Sequence, residues 1–307
     1  MVTRFRGITV REGLLFEGPA GWSEFSPFLD YDDSESAPWL TAAIDSAEQD
    51  WPVPLRHVIP VNCTVPAVGP EAAAEVVRSS SGCRTAKIKV AEPGQSLADD
   101  IARVEAVRDA LGPGGKIRID VNGLWSVDEA IAAIAVLDRV AGGLEYVEQP
   151  CRSVEELAAV RRKVNVPIAA DESIRRAADP MRVVELDAAD IAVLKVQPLG
   201  GVQACLRIAE QIGIPVVVSS ALETSIGLAA GLALASALPE LPYACGLATT
   251  SLLTADVVAR SLVPVDGALP VGRTVIDPER LAAVAADDET TARWTARFDA
   301  IRKELTQ

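Results

Sequence analysis

Positive charge is scarce in this sequence. Its 29 lysines and arginines stand against 43 aspartates and glutamates, a formal net charge of −14. No long Lys/Arg cluster relieves that balance, which argues against nucleic acid as a partner, since gripping phosphate needs a basic face. A small anionic carboxylate remains admissible, because a metal ion and a few lysines can make one pocket locally positive. Cysteine supplies no framework. Cys63, Cys83, Cys151, Cys205 and Cys245 are scattered without a CxxC spacing, and read as reduced thiols, neither disulfides nor zinc ligands. Long apolar runs are missing as well. The most apolar stretch, Ile226 to Leu238, contains Gly227 and Gly231 and is too short to span a bilayer, so a buried helix is expected there. The opening MVTRFRGITVREG has charges where a signal peptide would have its apolar stretch. These absences predict a cytoplasmic protein without a membrane partner and leave its oligomeric state open.

What is present is alternation. The 307 residues, 49% of them hydrophobic and 23% charged, suit a globular chain with a large core. Residues 8–16, ITVREGLLF, read as strands around an Arg-Glu-Gly turn. The Gly/Pro-rich GPAGWSEFSPF then reads as a loop and residues 37–50 as a helix. From His57 onward, eight β-branched runs alternate with helical stretches: HVIPVNC, TAKIKV, KIRIDVN, LEYVEQP, PIAADES, DIAVLKV, PVVVSSA and YACGLAT. Eight consecutive βα units predict a closed parallel (β/α) barrel of TIM type. A doubly wound sheet is disfavoured because no GxGxxG follows any run. The expected division is a small α+β capping domain, residues 1–56 plus 262–307, on a barrel of residues 57–261. The loop-rich tail from about Leu262 should return to the N-terminal segment.

Strand side chains alternate faces. Ile117, Ile119 and Val121 share one face and Arg118, Asp120 and Asn122 the other. Ala86, Ile88 and Val90 likewise oppose Thr85, Lys87 and Lys89, and Ala192, Leu194 and Val196 oppose Ile191, Val193 and Lys195. The apolar sets should meet the outer helices and the polar sets the barrel interior. Near the ends of runs three, four and five stand Asp120, Glu148 and Asp171, separated by 28 and 23 residues, about one βα unit each. Three converging carboxylates repel one another and call for a cation. All-oxygen ligation favours Mg²⁺, with Mn²⁺ as a substitute, and no Cys or His is placed to hold a softer metal. Lys87 and Lys89 enter from run two and Lys195 from run six, across the barrel. That arrangement suits proton abstraction beside a carboxylate, with the developing enediolate stabilised by a cation.

Other readings of the same residues stay open at this level. Asp171 could cap the next helix, as could Ser219, Ser220 and Glu223 after run seven, which are otherwise candidate substrate contacts. Lys195 could be a Schiff-base lysine of a barrel aldolase, or the barrel a non-catalytic metal-binding scaffold.

In order along the chain, KIKV, IDVNGLW, EYVEQP, AADES and VLKVQPLGG resemble the enolase superfamily, in the muconate-lactonizing-enzyme-like subgroup with a lysine on both strands two and six. The resemblance implies a modified, enolase-like barrel and a metal held by Asp120, Glu148 and Asp171. It implies Lys89 as general base and acid with Lys87 beside it, Lys195 on the opposite side of the substrate, and a loop around Gly18–Leu29 closing over the site. Arg118 and Asn122 would support the substrate from the inward face. The only histidine, His57, begins run one, which excludes a strand-seven histidine base. GLATTS lacks the Asp-x-Asp that dipeptide epimerases carry after strand eight. FRGITVREG, GPAGWSEFSPF and SSALETSIG are most similar to the actinobacterial o-succinylbenzoate synthases of menaquinone biosynthesis. That implies syn dehydration of 2-succinyl-6-hydroxy-2,4-cyclohexadiene-1-carboxylate, with N-acylamino acid racemisation or muconate cycloisomerisation as the alternatives within the subgroup.

Overall fold

In the computed structural model, which describes residues 1–176 and 180–305, the alternating runs fold as strand–helix units. A hairpin, β1 (Leu14–Gly18) and β2 (Gly21–Phe25), leads into α1 (Asp33–Glu48). Then come β3 (Val58–Pro60), β4 (Cys63–Val65), α2 (Pro70–Arg78), β5 (Thr85–Lys89), α3 (Leu97–Leu111) and β6 (Lys116–Asp120). The series continues with α4 (Val127–Ala141), β7 (Leu144–Glu148), α5 (Val154–Arg161), β8 (Ile168–Ala170), and two short helices, α6 (Glu172–Arg175) and α7 (Arg182–Glu185). Next are β9 (Ile191–Leu194), α8 (Val202–Ile212), β10 (Val216–Val218) and α9 (Ser225–Ala237). The tail holds β11 (Ala268–Pro270), α10 (Pro278–Ala283) and α11 (Asp288–Leu305).

Strands β4 to β10 hydrogen-bond in chain order as one parallel seven-stranded sheet. The run HVIPVNC divides: β3 pairs antiparallel with β11, and only Cys63–Val65 joins the sheet. The eighth run makes single bridges, Cys245 to Val61 and Gly246 to Ser219. Cys245 donates its N–H to Pro60 O at 2.8 Å and Gly246 donates to Val218 O at 2.8 Å, so this segment bonds to both ends of the sheet.

Alternation sorts the side chains as the two-residue period requires. Ile88, Ile119 and Leu194 pack outward in a large cluster with Val104, Ile134 and Leu137 of the flanking helices. Tyr146, Ala169, Ile191, Val193 and Val217 form a separate inner cluster with Tyr243. Three flanking helices start from the same local device. Ser96, Ser126 and Ser153 each accept an N–H from the residue three positions on (Asp99, Glu129, Glu156), whose carboxylate returns the bond. Such boxes contribute about 1 kcal/mol apiece. The apolar stretch at 226–238 is indeed a buried helix, α9, and among the described residues no helix is long and apolar enough to cross a membrane.

Near the N-terminus the structure corrects the sequence reading. Pro19 and Ala20 turn the chain between the paired Gly18 and Gly21, and Gly21–Phe25 is the second strand, where a loop was expected. α1 begins at Asp33, earlier than expected, because the Asp32 carboxylate accepts the Glu35 N–H at 2.8 Å. The tail returns as anticipated, but as a helix. Trp294 and Ile301 of α11 are buried with Phe25, Trp39 and Leu40, and Arg297 donates to the carbonyls of Phe28 and Tyr31 at 3.0 and 2.8 Å.

Candidate active site

Strand register sets the height of each functional side chain. Lys89 is the partner of Asp120 between β5 and β6, and Asp120 of Glu148 between β6 and β7. Glu148 pairs with Ala169, two residues before Asp171, and Lys195 directly follows β9. Five ionisable side chains therefore gather at one end of five consecutive strands. Lys89 Nζ lies 2.6 Å from Asp120 Oδ2 and 2.5 Å from Asn122 Oδ1. Lys87 Nζ bridges Glu148 Oε1 at 2.8 Å and Asp120 Oδ2 at 3.2 Å. Lys195 Nζ lies 2.6 Å from Asp171 Oδ2, and Arg175 Nε 2.9 Å from Asp171 Oδ1. Asp171 stands at the N-cap position of α6, yet its carboxylate makes no cap hydrogen bond. The capping reading of Asp171 is thereby set aside.

A second layer holds these groups in place. Gln149 Oε1 accepts the N–H groups of Asp171 and Ser173 at 3.0 and 3.1 Å. Arg103, buried and paired with Asp100 at 2.6 Å, donates to the carbonyl of Lys89 at 3.0 Å. Neither Gln149 nor Arg103 was singled out from sequence. EQP marks the strand end that carries Gln149, whereas Arg103 lies mid-helix with no local signal.

Burial pushes the Glu148 carboxyl up, and the neighbouring charges of Asp120 and Asp171 add to it beyond what Lys87 offsets, so it rises to about 7. Burial also opposes ionisation of Asp171, but Arg175 and Lys195 overcome it and hold the carboxyl down at about 2. Asp120 is lowered in the same way, burial being outweighed by Lys89 and Lys87. Lys87 is desolvated too, yet Glu148 and Asp120 raise its ammonium well above the usual lysine range. It is a fixed cation.

Lys87, Lys89, Asp120 and Lys195 line a cleft open to solvent, together with Asn122, Ser219 and Ser220 from the sequence-derived set, whereas Glu148 and Asp171 are fully buried and outside its lining. Phe28, from the loop expected to close over the site, lines it too. Several lining residues were not anticipated: Phe5 and Arg6 from the N-terminal segment, Thr64 in the middle of β4, Arg175 and Leu222. The Thr64 hydroxyl is buried without a hydrogen-bond partner among the described residues. Two expected contacts are absent from the lining. Arg118 points inward, but lower down, against Glu145 (2.5 Å), the Tyr146 hydroxyl (3.2 Å) and the Ala244 carbonyl (2.7 Å). Glu223 turns away from the cleft, and both its oxygens take the Ala221 N–H, at 3.0 and 2.8 Å.

Among the described residues no three carboxylates, imidazoles or thiols form a ready-made metal cage. Each carboxylate of the trio is instead engaged by an amine or guanidinium. The residues nonetheless fit a hard divalent ion. Their donors are all oxygens, Lys87 joins two of the acids, and Glu148 Oε2 is a buried acceptor with no partner among the described residues.

The chain matches two family descriptions, Enolase N-terminal domain-like over residues 1–47 and Enolase C-terminal domain-like over residues 71–275. An o-succinylbenzoate synthase of Thermobifida fusca (strain YX) is 65% identical over 300 residues, covering 98% of this chain and 93% of the relative. An o-succinylbenzoate synthase of Mycolicibacterium smegmatis is 57% identical over 297 residues, covering 97% and 91%. Among solved structures, a muconate cycloisomerase from Pseudomonas fluorescens superposes with a TM-score of 0.72 at 23% identity, over 89% of this chain and 97% of that one. The L-Ala-D/L-Glu epimerase from Bacillus subtilis gives 0.71 at 23%, over 85% and 88%. At those identities the superpositions speak for the fold alone.

Proposed function

The chain belongs to the enolase superfamily, and on that footing we propose that it acts as an o-succinylbenzoate synthase, removing water from 2-succinyl-6-hydroxy-2,4-cyclohexadiene-1-carboxylate to give 2-succinylbenzoate. The observation that carries this reading is the 65% identity to a synthase of that name along almost the whole of both chains. The two-sided lysine arrangement agrees with it.

Lys89 takes the proton on the ring carbon that bears the carboxylate. It then passes that proton to the hydroxide leaving the neighbouring carbon, so water departs from the face the proton left and the ring becomes aromatic. A single group serving both steps requires syn geometry. Lys195, anchored by Asp171, stays an ammonium and faces the negative charge that builds on the carboxylate. Lys87, held cationic by Glu148 and Asp120, shares Asp120 Oδ2 with Lys89 and places fixed positive charge beside the base. Asp120, Glu148 and Asp171 would hold the divalent metal on which the superfamily depends, Mg²⁺ in our reading. When bound, it supplies electrophilic stabilisation of the substrate carboxylate. We read the sheet as an eight-stranded barrel closed by the segment around Cys245 and Gly246, with residues 1–56 and 262–307 as its cap, working in the cytoplasm on a small anionic carboxylate.

An ultraviolet assay of the purified protein with the cyclohexadiene substrate, run beside an N-succinylamino acid racemisation assay, tests the reading. Aromatisation is expected, abolished by EDTA and restored by Mg²⁺. Lys89→Ala should lower turnover by about a thousandfold, the scale of a lost general acid–base group. Racemisation without aromatisation would make Lys195 a second base and replace this assignment.

A further inference from the structure

We propose that Arg6 binds the second carboxylate of a dicarboxylate substrate, the one at the end of the succinyl arm; this rests on the dehydratase reading above. Phe5 and Ile8 exchange both backbone hydrogen bonds, at 3.1 and 3.0 Å, around a two-residue turn. Arg6 and Gly7 both have positive φ, 49° and 76°, as a type I′ turn demands. Glycine adopts that conformation freely, whereas arginine at the first position is strained. The turn alone would favour Asn or Gly there, so its own requirements do not account for the arginine.

What Arg6 does follows from its neighbours. Five cationic side chains line the inner cleft: Arg6, Lys87, Lys89, Arg175 and Lys195. Four of them bond a buried carboxylate within 3 Å. Among the described residues Arg6 hydrogen-bonds only Asp30, at 3.4 Å and 61% exposed, and the Tyr31 hydroxyl at 3.3 Å. Its guanidinium lies over the Phe28 ring, 3.8 Å from the centroid. Stacking fixes the plane, and the N–H edge, held only by those two long contacts, can exchange them for a carboxylate, a geometry that lysine cannot copy. Arg6 is also the cation shared by the inner cleft and a larger outer one lined by Arg4, Arg152 and Arg176. With the ring carboxylate at the Lys89–Lys195 end, an arm running towards the mouth meets Arg6.

The test compares two ligands by calorimetric titration with Mg²⁺ present: 2-succinylbenzoate, and 2-butanoylbenzoate, in which a methyl group replaces the distal carboxylate. Wild-type protein should prefer the succinyl compound, and Arg6→Gln should weaken that compound alone by about tenfold to a hundredfold, the span of one charge-assisted contact. Arg6→Lys should recover part of the loss, which also reports that the substituted turn still folds. Equal weakening of both ligands, or none, overturns the assignment while wild-type aromatisation continues. Failure of wild-type protein to aromatise the substrate would remove the dehydratase reading and this subsite with it.

Discussion

Two buried carboxylates, Glu24 and Glu223, sit near each other where β2 meets the start of α9, with the half-buried guanidinium of Arg11 close by. Burial, and then the charge of Glu24, push the Glu223 carboxyl from 4.5 up to about 7. Between those two pH values the unfolded chain loses the proton and the folded chain keeps it. Stability should therefore fall as pH rises through that window, by about 3 kcal/mol at 1.4 kcal/mol per unit. Glu223→Gln keeps an acceptor for the Ala221 N–H and removes the ionisation. Urea denaturation at pH 5 and pH 8 should show the variant gaining on wild type at the higher pH; an unchanged pH slope would contradict the shift. At this scale the sequence was informative wherever a charge ended a β-branched run. Lys89, Asp120, Glu148, Asp171 and Lys195 were all readable that way, because one strand end per βα unit is a local signal. Alternation gives the face of a residue but not its depth. Arg118 shares the face of Asp120, and two residues of strand, about 6–7 Å, set it below the cleft. Phe5 and Arg6 had no local signal, since a turn reaches the site only through the tertiary fold.

Among the elements, α9 shows best how the N-terminal segment is joined to the strands. Thr224 caps the helix in the ordinary way, accepting the Ile226 N–H. A second cap arrives from β2: Glu24 Oε2 accepts from Thr224 N (3.0 Å), Thr224 Oγ1 (2.6 Å) and Gly227 N (3.2 Å). Gly227 leaves room for this carboxylate. A Cβ there would stand 2.8 Å from Glu223 Cβ and 3.0 Å from Glu24 Oε2. Gly→Ala in an open helix gains about 1 kcal/mol. Here the overlap, costing about 1–3 kcal/mol by analogy with overpacked cores, should reverse the sign. Chemical denaturation of Gly227→Ala is expected to show net destabilisation, and a stabilised variant would mean that the contact relaxes freely. The helix itself was legible as an apolar run. Its cap from Glu24, some 200 residues distant, was not, because no periodicity encodes a partner on another element. The division of HVIPVNC into β3 and β4 escaped for the same reason: its cause is β11, far along the chain.

On the scale of the molecule, the alternation of eight runs announced parallel βα units, while the fold of both termini depended on contacts between them. Phe25, Trp39 and Leu40 share their buried cluster with Trp294 and Ile301 of α11. Phe25 meets Trp294 edge to face, with centroids 6.0 Å apart. Truncation after residue 287, which removes α11, should uncover those aromatic rings. Increased binding of a hydrophobic dye and a broadened thermal transition are expected, whereas a native-like cooperative melt would show that the helix is dispensable. The same closure shapes how the polypeptide is made. A ribosome delivers Phe25 and Trp39 well before the helix that shelters them, and Cys245, which bridges Val61 just ahead of the first sheet strand, also follows far along the chain. Until those segments emerge, the nascent chain exposes both an aromatic surface and an unpaired strand edge, the features that invite premature association and that chaperones shield.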